Sequence, residues 1–119
     1  MLNLDTHILI HALAGELTPA ERKLLRGDSW GISAIVLWEL AKLQALGRVE
    51  FEFDSIEFGR ILGQVEVLPI TLPICRQSTK LDFDADPADE LIAATSVVHK
   101  IPLVTRDRKI RRSRIVPLA

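Results

Sequence analysis

Apolar and polar positions along the chain fall into short blocks whose period keeps switching. Met1 to Leu4 is a brief apolar run that stops at Asp5, and the following THILIHALAG has helical character up to Gly15. This predicts a strand and then a helix. TPAERKLLRG carries a helix start in Thr18 as cap, Pro19 in the first turn and Glu21 closing a capping box, with Gly27 as the stop. WGIS reads as a second strand, and Ser33 caps a helix over AIVLWELAKLQAL that ends at Gly47. Asp54 with Glu57 predicts a further capping box that opens a helix over SIEFGRILGQ, and the β-branched run VEVLPI predicts a third strand. Another helix is expected from Pro73 toward Leu81. The next has Asp86 as cap and Pro87 at its first position, and continues through ADELIAATSVVHK. PLVT is a fourth strand, RDRKIRR a short helical turn and RIVPL a candidate fifth strand.

Strands that alternate with helices, and that are apolar rather than alternating, predict a parallel sheet covered on both faces. The fold class is therefore α/β, a three-layer α/β/α sandwich. At 119 residues, 48% of them hydrophobic, the chain is expected to form one domain, 1–119, with a real core. The longest uncharged run, Ser29 to Trp38, is closed by Asp28 and Glu39 and is too short to span a membrane. The opening MLNLDTH has no basic lead and is not expected to be a signal peptide, and the lone Cys75 suits a reducing cytoplasm.

A formal net charge of −1 conceals a basic C-terminal part. From Lys100 onward, Arg106, Arg108, Lys109, Arg111, Arg112 and Arg114 face the single acid Asp107. Such a cluster suits a polyanion such as RNA.

In a parallel sheet, ligands sit beyond the carboxyl ends of the strands. Asp5 lies immediately after the first strand and Asp107 just after the fourth. Glu39 sits in the helix after the second strand among apolar neighbours, where a carboxylate is costly to bury unless paired or bound to a cation. The stretch DFDADPADELIAAT divides by position: Asp82 and Asp84 belong to a loop, Asp86 to the cap, Asp89 to the third helical position, and Glu90 to a solvent-facing one. Asp5, Glu39, Asp89 and Asp107 are thereby expected at one edge of the sheet. Carboxylates that close repel one another unless a cation holds them, and Mg²⁺ or Mn²⁺ is the natural occupant. Such an ion activates water and neutralises a phosphate oxygen, the needs of phosphodiester hydrolysis. His7 and His11 have the spacing of a zinc pair, but Ile8 stands where a zinc protease needs glutamate.

LNLDTHILI, ISAIVLWELAKLQALGRVE, DPADELIAAT and IPLVTRDRKI, in that order and spacing, resemble the PIN domain, most closely the VapC-type toxins of bacterial toxin–antitoxin pairs. The resemblance implies an endoribonuclease dependent on Mg²⁺ or Mn²⁺, usually a homodimer, held inactive by a cognate antitoxin. It assigns Asp5, Glu39, Asp89 and Asp107 as the acids, with Asp5, Asp89 and Asp107 as metal ligands. Thr105 matches a hydroxyl residue that orients a metal-bound water. Arg106, Arg108, Lys109, Arg111 and Arg112 are the expected RNA contacts. Many relatives carry arginine directly after the third acid, where this chain has Glu90. The apolar helices near the start and from Asp54 to Gln64 are expected to offer a groove for an antitoxin helix. The competing expectation is a non-catalytic interaction protein of the same fold, its acids kept for structure.

Overall fold

The strands are shorter than the helices that connect them. In the computed structural model, which describes residues 1–119, the order is β1 (Leu2–Leu4), α1 (Thr6–Ala14), α2 (Pro19–Arg26), β2 (Trp30–Ser33), α3 (Ala34–Ala45), α4 (Ile56–Leu62), β3 (Val65–Leu68), α5 (Leu72–Ser78), α6 (Pro87–His99), β4 (Leu103–Val104) and α7 (Arg108–Arg111). The sheet is parallel throughout, in the order β3-β2-β1-β4. Asn3 of β1 stands opposite Gly31 on one side and Leu103 on the other. The chain steps outward from β1 to β3 and then returns across the sheet to β4. α5 packs along α6, and α6 lies against β1 and β2 and also meets α3. The reversal lies between β1 and β4, so the crevice beyond their carboxyl ends is where such a sheet binds ligands.

Leu4, Ile8, Ile32, Leu40, Ile92 and Leu103 are completely buried and form the centre of the core. Each contributes roughly 2 kcal/mol by leaving water. One polar residue interrupts this interior. The Asn3 side chain is equally buried, and its Nδ2 donates to the Ile92 carbonyl (3.0 Å) and to Ser96 Oγ (2.9 Å). These bonds pin α6 to β1, which sets the height of the residues that begin α6.

Several local expectations shift. Ser55, not Asp54, caps α4, its Oγ accepting the Phe58 N–H at 3.1 Å. The helix frame is fixed by Phe58, which must enter the cluster with Phe51 and Phe53, each pair of rings 5.2 Å apart. The helix expected from Pro73 toward Leu81 begins at Leu72 and stops at Ser78. The Ser78 and Thr79 hydroxyls there donate back to the Cys75 and Arg76 carbonyls. The candidate fifth strand is reduced to a single bridge beside β4, between Leu103 and Leu118. Pro117 has no N–H with which to extend a ladder. No helix is long and apolar enough to cross a membrane.

Candidate active site

Two threonines organise the carboxyl edge. Asp5 leaves β1 in extended conformation and caps α1, its side chain 4% exposed. Its Oδ1 accepts the Thr6 N–H (2.8 Å) and its Oδ2 accepts the Thr105 hydroxyl (2.6 Å). Thr105, directly after β4, in turn accepts the Asp107 N–H on the same Oγ1 (3.0 Å). Asp107 caps α7, its Oδ1 taking the N–H groups of Lys109 (2.8 Å) and Ile110 (3.1 Å). On the other side, the Thr6 hydroxyl donates to Glu39 Oε1 from α3. Glu39, Thr6, Asp5, Thr105 and Asp107 are thus joined in one hydrogen-bonded row. The bonded oxygens of Asp5 and the bonded oxygen of Glu39 each retain a lone pair, Asp107 Oδ1 has both engaged, and Glu39 Oε2 and Asp107 Oδ2 accept nothing from the chain.

Asp89 stands outside this row. It occupies the third position of α6, is partly buried, and accepts no hydrogen bond. Burial, and then the charges of Asp5, Glu39, Asp107 and Asp86, push its carboxyl up from 3.8 to about 6. The cause itself locates the group: these acids share one neighbourhood. Asp89 and Asp107 open onto a concavity of about 380 Å³ completed by Asp84, Ala85, Asp86 and Lys109. No three His, Cys, Asp or Glu side chains are already closed around a single point. The donor set nevertheless fits Mg²⁺ or Mn²⁺, which take hard oxygen ligands, Mg²⁺ commonly one or two carboxylates with waters for the rest. Binding such an ion would relieve the repulsion that burdens Asp89.

Residues 3–115 match the PIN domain. The chain belongs to the PIN domain family. It is 32% identical over 98 residues to Ribonuclease VapC22 of Mycobacterium tuberculosis, spanning 80% of this chain and 75% of that protein. Its fold resembles that of VapBC2 from Rickettsia felis, solved bound to a DNA fragment from their promoter, with a TM-score of 0.77 and 20% identity over 100% of this chain and 98% of the other. A toxin–antitoxin complex from Klebsiella pneumoniae gives a TM-score of 0.74 at 19% identity, covering 100% of this chain and 97% of its own.

This PIN domain divides the basic residues that the sequence groups together. Arg106 is held by Glu21 of α2 through Nε (2.8 Å) and Nη2 (2.6 Å), and it also reaches the Glu16 carbonyl (3.3 Å). The pair holds the Glu21 carboxyl down at about 2 and raises the Arg106 guanidinium. Lys109 Nζ donates to the Asp84 carbonyl (2.8 Å) and Arg111 Nη1 to the Thr105 carbonyl (3.2 Å). Arg108 and Arg112 are exposed and make no side-chain hydrogen bond or ion pair.

The acids around the start of α6 meet expectation only in part. Asp82 is an exposed loop residue as expected, and it also clamps the C-terminal segment, accepting from Ser113 Oγ (2.6 Å) and the Arg114 N–H (2.8 Å). Asp86 occupies the cap position but its side chain makes no cap bond. Glu90 turns back to the Ala85 N–H (3.4 Å) instead of facing open solvent. His7 is exposed and His11 lies 3.6 Å from the Glu16 carboxylate, so the histidine spacing builds no metal centre. Thr6 is the site residue that sequence reasoning passed over. Its only signal is a hydroxyl beside a strand-end acid, the same pairing that marks Thr105 and Asp107.

Proposed function

We propose that this PIN domain is an endoribonuclease dependent on Mg²⁺ or Mn²⁺, the toxin of a toxin–antitoxin pair. The observation that carries the reading is the hydrogen-bonded row that joins Glu39, Asp5 and Asp107 through Thr6 and Thr105, with Asp89 close enough for their charges to push its carboxyl up. Asp5, Asp89 and Asp107 would hold the metal, which when bound activates water and neutralises a phosphate oxygen. Glu39, fixed through Oε1, keeps Oε2 available to accept a proton from an attacking water. Thr105 orients Asp5 and the Asp107 backbone directly, its one proton being committed to Asp5. Arg108 and Arg112 are the side chains free to meet RNA phosphates near this acidic edge.

For the antitoxin, the surface that suits it best lies beside the two helices expected to receive it. A groove of about 630 Å³ lies between α1 and α4, floored by Ile10, Leu13, Phe51 and Phe58. Glu16, Glu50, Glu52 and Glu57 also line it, against Arg48 alone. An antitoxin helix with an apolar stripe and basic flanks fits such a surface. A homodimer, implied by the resemblance, would cover some of the exposed apolar side chains Trp38, Leu46, Ile56 and Leu72.

Sequencing the 5′ ends of cellular RNA after expression of the wild type beside Asp5→Asn tests activity and target together. New ends should appear with the wild type and fall about 100-fold or more with the variant. New ends of equal abundance in both would remove Asp5 from the chemistry.

A further inference from the structure

We infer that Thr6 is a positioning residue that holds Glu39 in register with Asp5. The inference rests on the nuclease reading of the same site. Thr6 is 1% exposed, so its hydroxyl has no water to bond and must find its partner in the chain. Its Oγ1 donates to Glu39 Oε1, while its N–H donates to Asp5 Oδ1. One residue therefore touches two of the four acids, which arrive from segments 34 positions apart in the sequence.

Geometry shows why such a bridge is needed. Glu39 has the longest side chain of the four and leaves the middle of α3, whereas Asp5 and Asp107 are fixed by their roles as helix caps. Without a donor, the Glu39 carboxylate keeps its rotamer freedom and is repelled by Asp5 and Asp89 toward solvent. A hydroxyl is the appropriate donor. It supplies one charge-assisted hydrogen bond without adding positive charge, so the site keeps its affinity for a cation. A lysine or arginine in the same place would neutralise the acids permanently. Thr6 and Thr105 then play matching parts on the two sides of Asp5, each giving its only side-chain proton to one acid.

The test compares Thr6→Val, which removes the hydroxyl at nearly constant shape, with Thr6→Ser, which keeps it. Mn²⁺ binding to the RNA-free protein is measured by calorimetry and RNA cleavage in parallel, with circular dichroism to verify folding. Thr6→Val should weaken Mn²⁺ binding and lower cleavage by about 10-fold or more, and Thr6→Ser should stay within about threefold of wild type. In an Glu39→Gln background, Thr6→Val should add little, because the interaction it removes acts through Glu39. An equal loss in both backgrounds, or no loss in the wild-type background, would overturn the inference. Should Thr6→Val fail to fold, Thr6→Ala replaces it. If neither folds while Thr6→Ser does, the hydroxyl serves the fold and not the site. A wild type that neither binds Mn²⁺ nor cuts RNA would instead reject the nuclease reading.

Discussion

Asp89 shows most clearly what crowding acids at this edge costs in stability. Its carboxyl titrates at about 6 in the folded protein and near 3.8 when free, so the folded state holds the proton more tightly between those values. Relative stability from this group is complete below about pH 3.8 and is lost as pH rises through about 6. Above pH 6, the metal-free fold carries a partly buried charge crowded by Asp5, Glu39 and Asp107. Replacing Asp89 by Asn should therefore stabilise the metal-free protein at pH 7.5 by about 1–2 kcal/mol, after allowance for its exposed side, and give no gain at pH 3.5. Thermal unfolding at the two pH values checks this, and the same variant should lose RNA cleavage. The position of Asp89 was legible in the sequence, since a cap at Asp86 with Pro87 places it three residues into a helix beyond the strand ends. Its lack of any hydrogen bond was not, because a helix position does not reveal which donors the fold brings within reach.

At the scale of elements, capping signals located the helices and long-range polar ties finished the job. Thr18 with Glu21 was readable as a capping box, and both of its bonds form. What could not be read is that Glu21 also receives Arg106 from 85 residues away, which ties α2 to the segment after β4. No periodicity encodes such a pair; it depends on how the crossovers stack. Because Glu21 is held at about 2, below its ordinary 4.5, the stability it supplies is present above pH 4.5 and disappears as pH falls through about 2. Glu21→Gln should lower the urea midpoint at pH 7 and converge on the wild type near pH 2. The cap at Ser55 and the Asp82 clamp on Ser113 and Arg114 escaped the sequence for a related reason. Neighbouring Asp54 offers equivalent local chemistry, and only the Phe51, Phe53 and Phe58 cluster decides between them.

For the molecule as a whole, the sheet order explains why four acids scattered from position 5 to position 107 meet. Asp5 and Asp107 follow neighbouring strands at the reversal point, α3 brings Glu39 beside Thr6, and the Asn3 bonds to α6 set Asp89 over the same edge. Strand ends and helix starts carried that much in the sequence alone, while the threonine bridges required the fold. The cationic side splits by the same logic. Arg108→Ala and Arg112→Ala should each reduce the salt slope of RNA binding by about 0.7, the value for one single-strand phosphate contact, whereas Arg106→Ala should act mainly on stability through Glu21. Fluorescence titrations at several salt concentrations separate the two behaviours. The most direct measurement is cleavage of single-stranded RNA by the purified protein, with Mn²⁺ and with chelator, beside folded Asp5→Asn. Cutting that needs Mn²⁺ and vanishes in the variant is the predicted result. RNA left intact by folded wild type with Mn²⁺, or cut equally in the presence of chelator, would contradict a metal-dependent acidic centre at this edge.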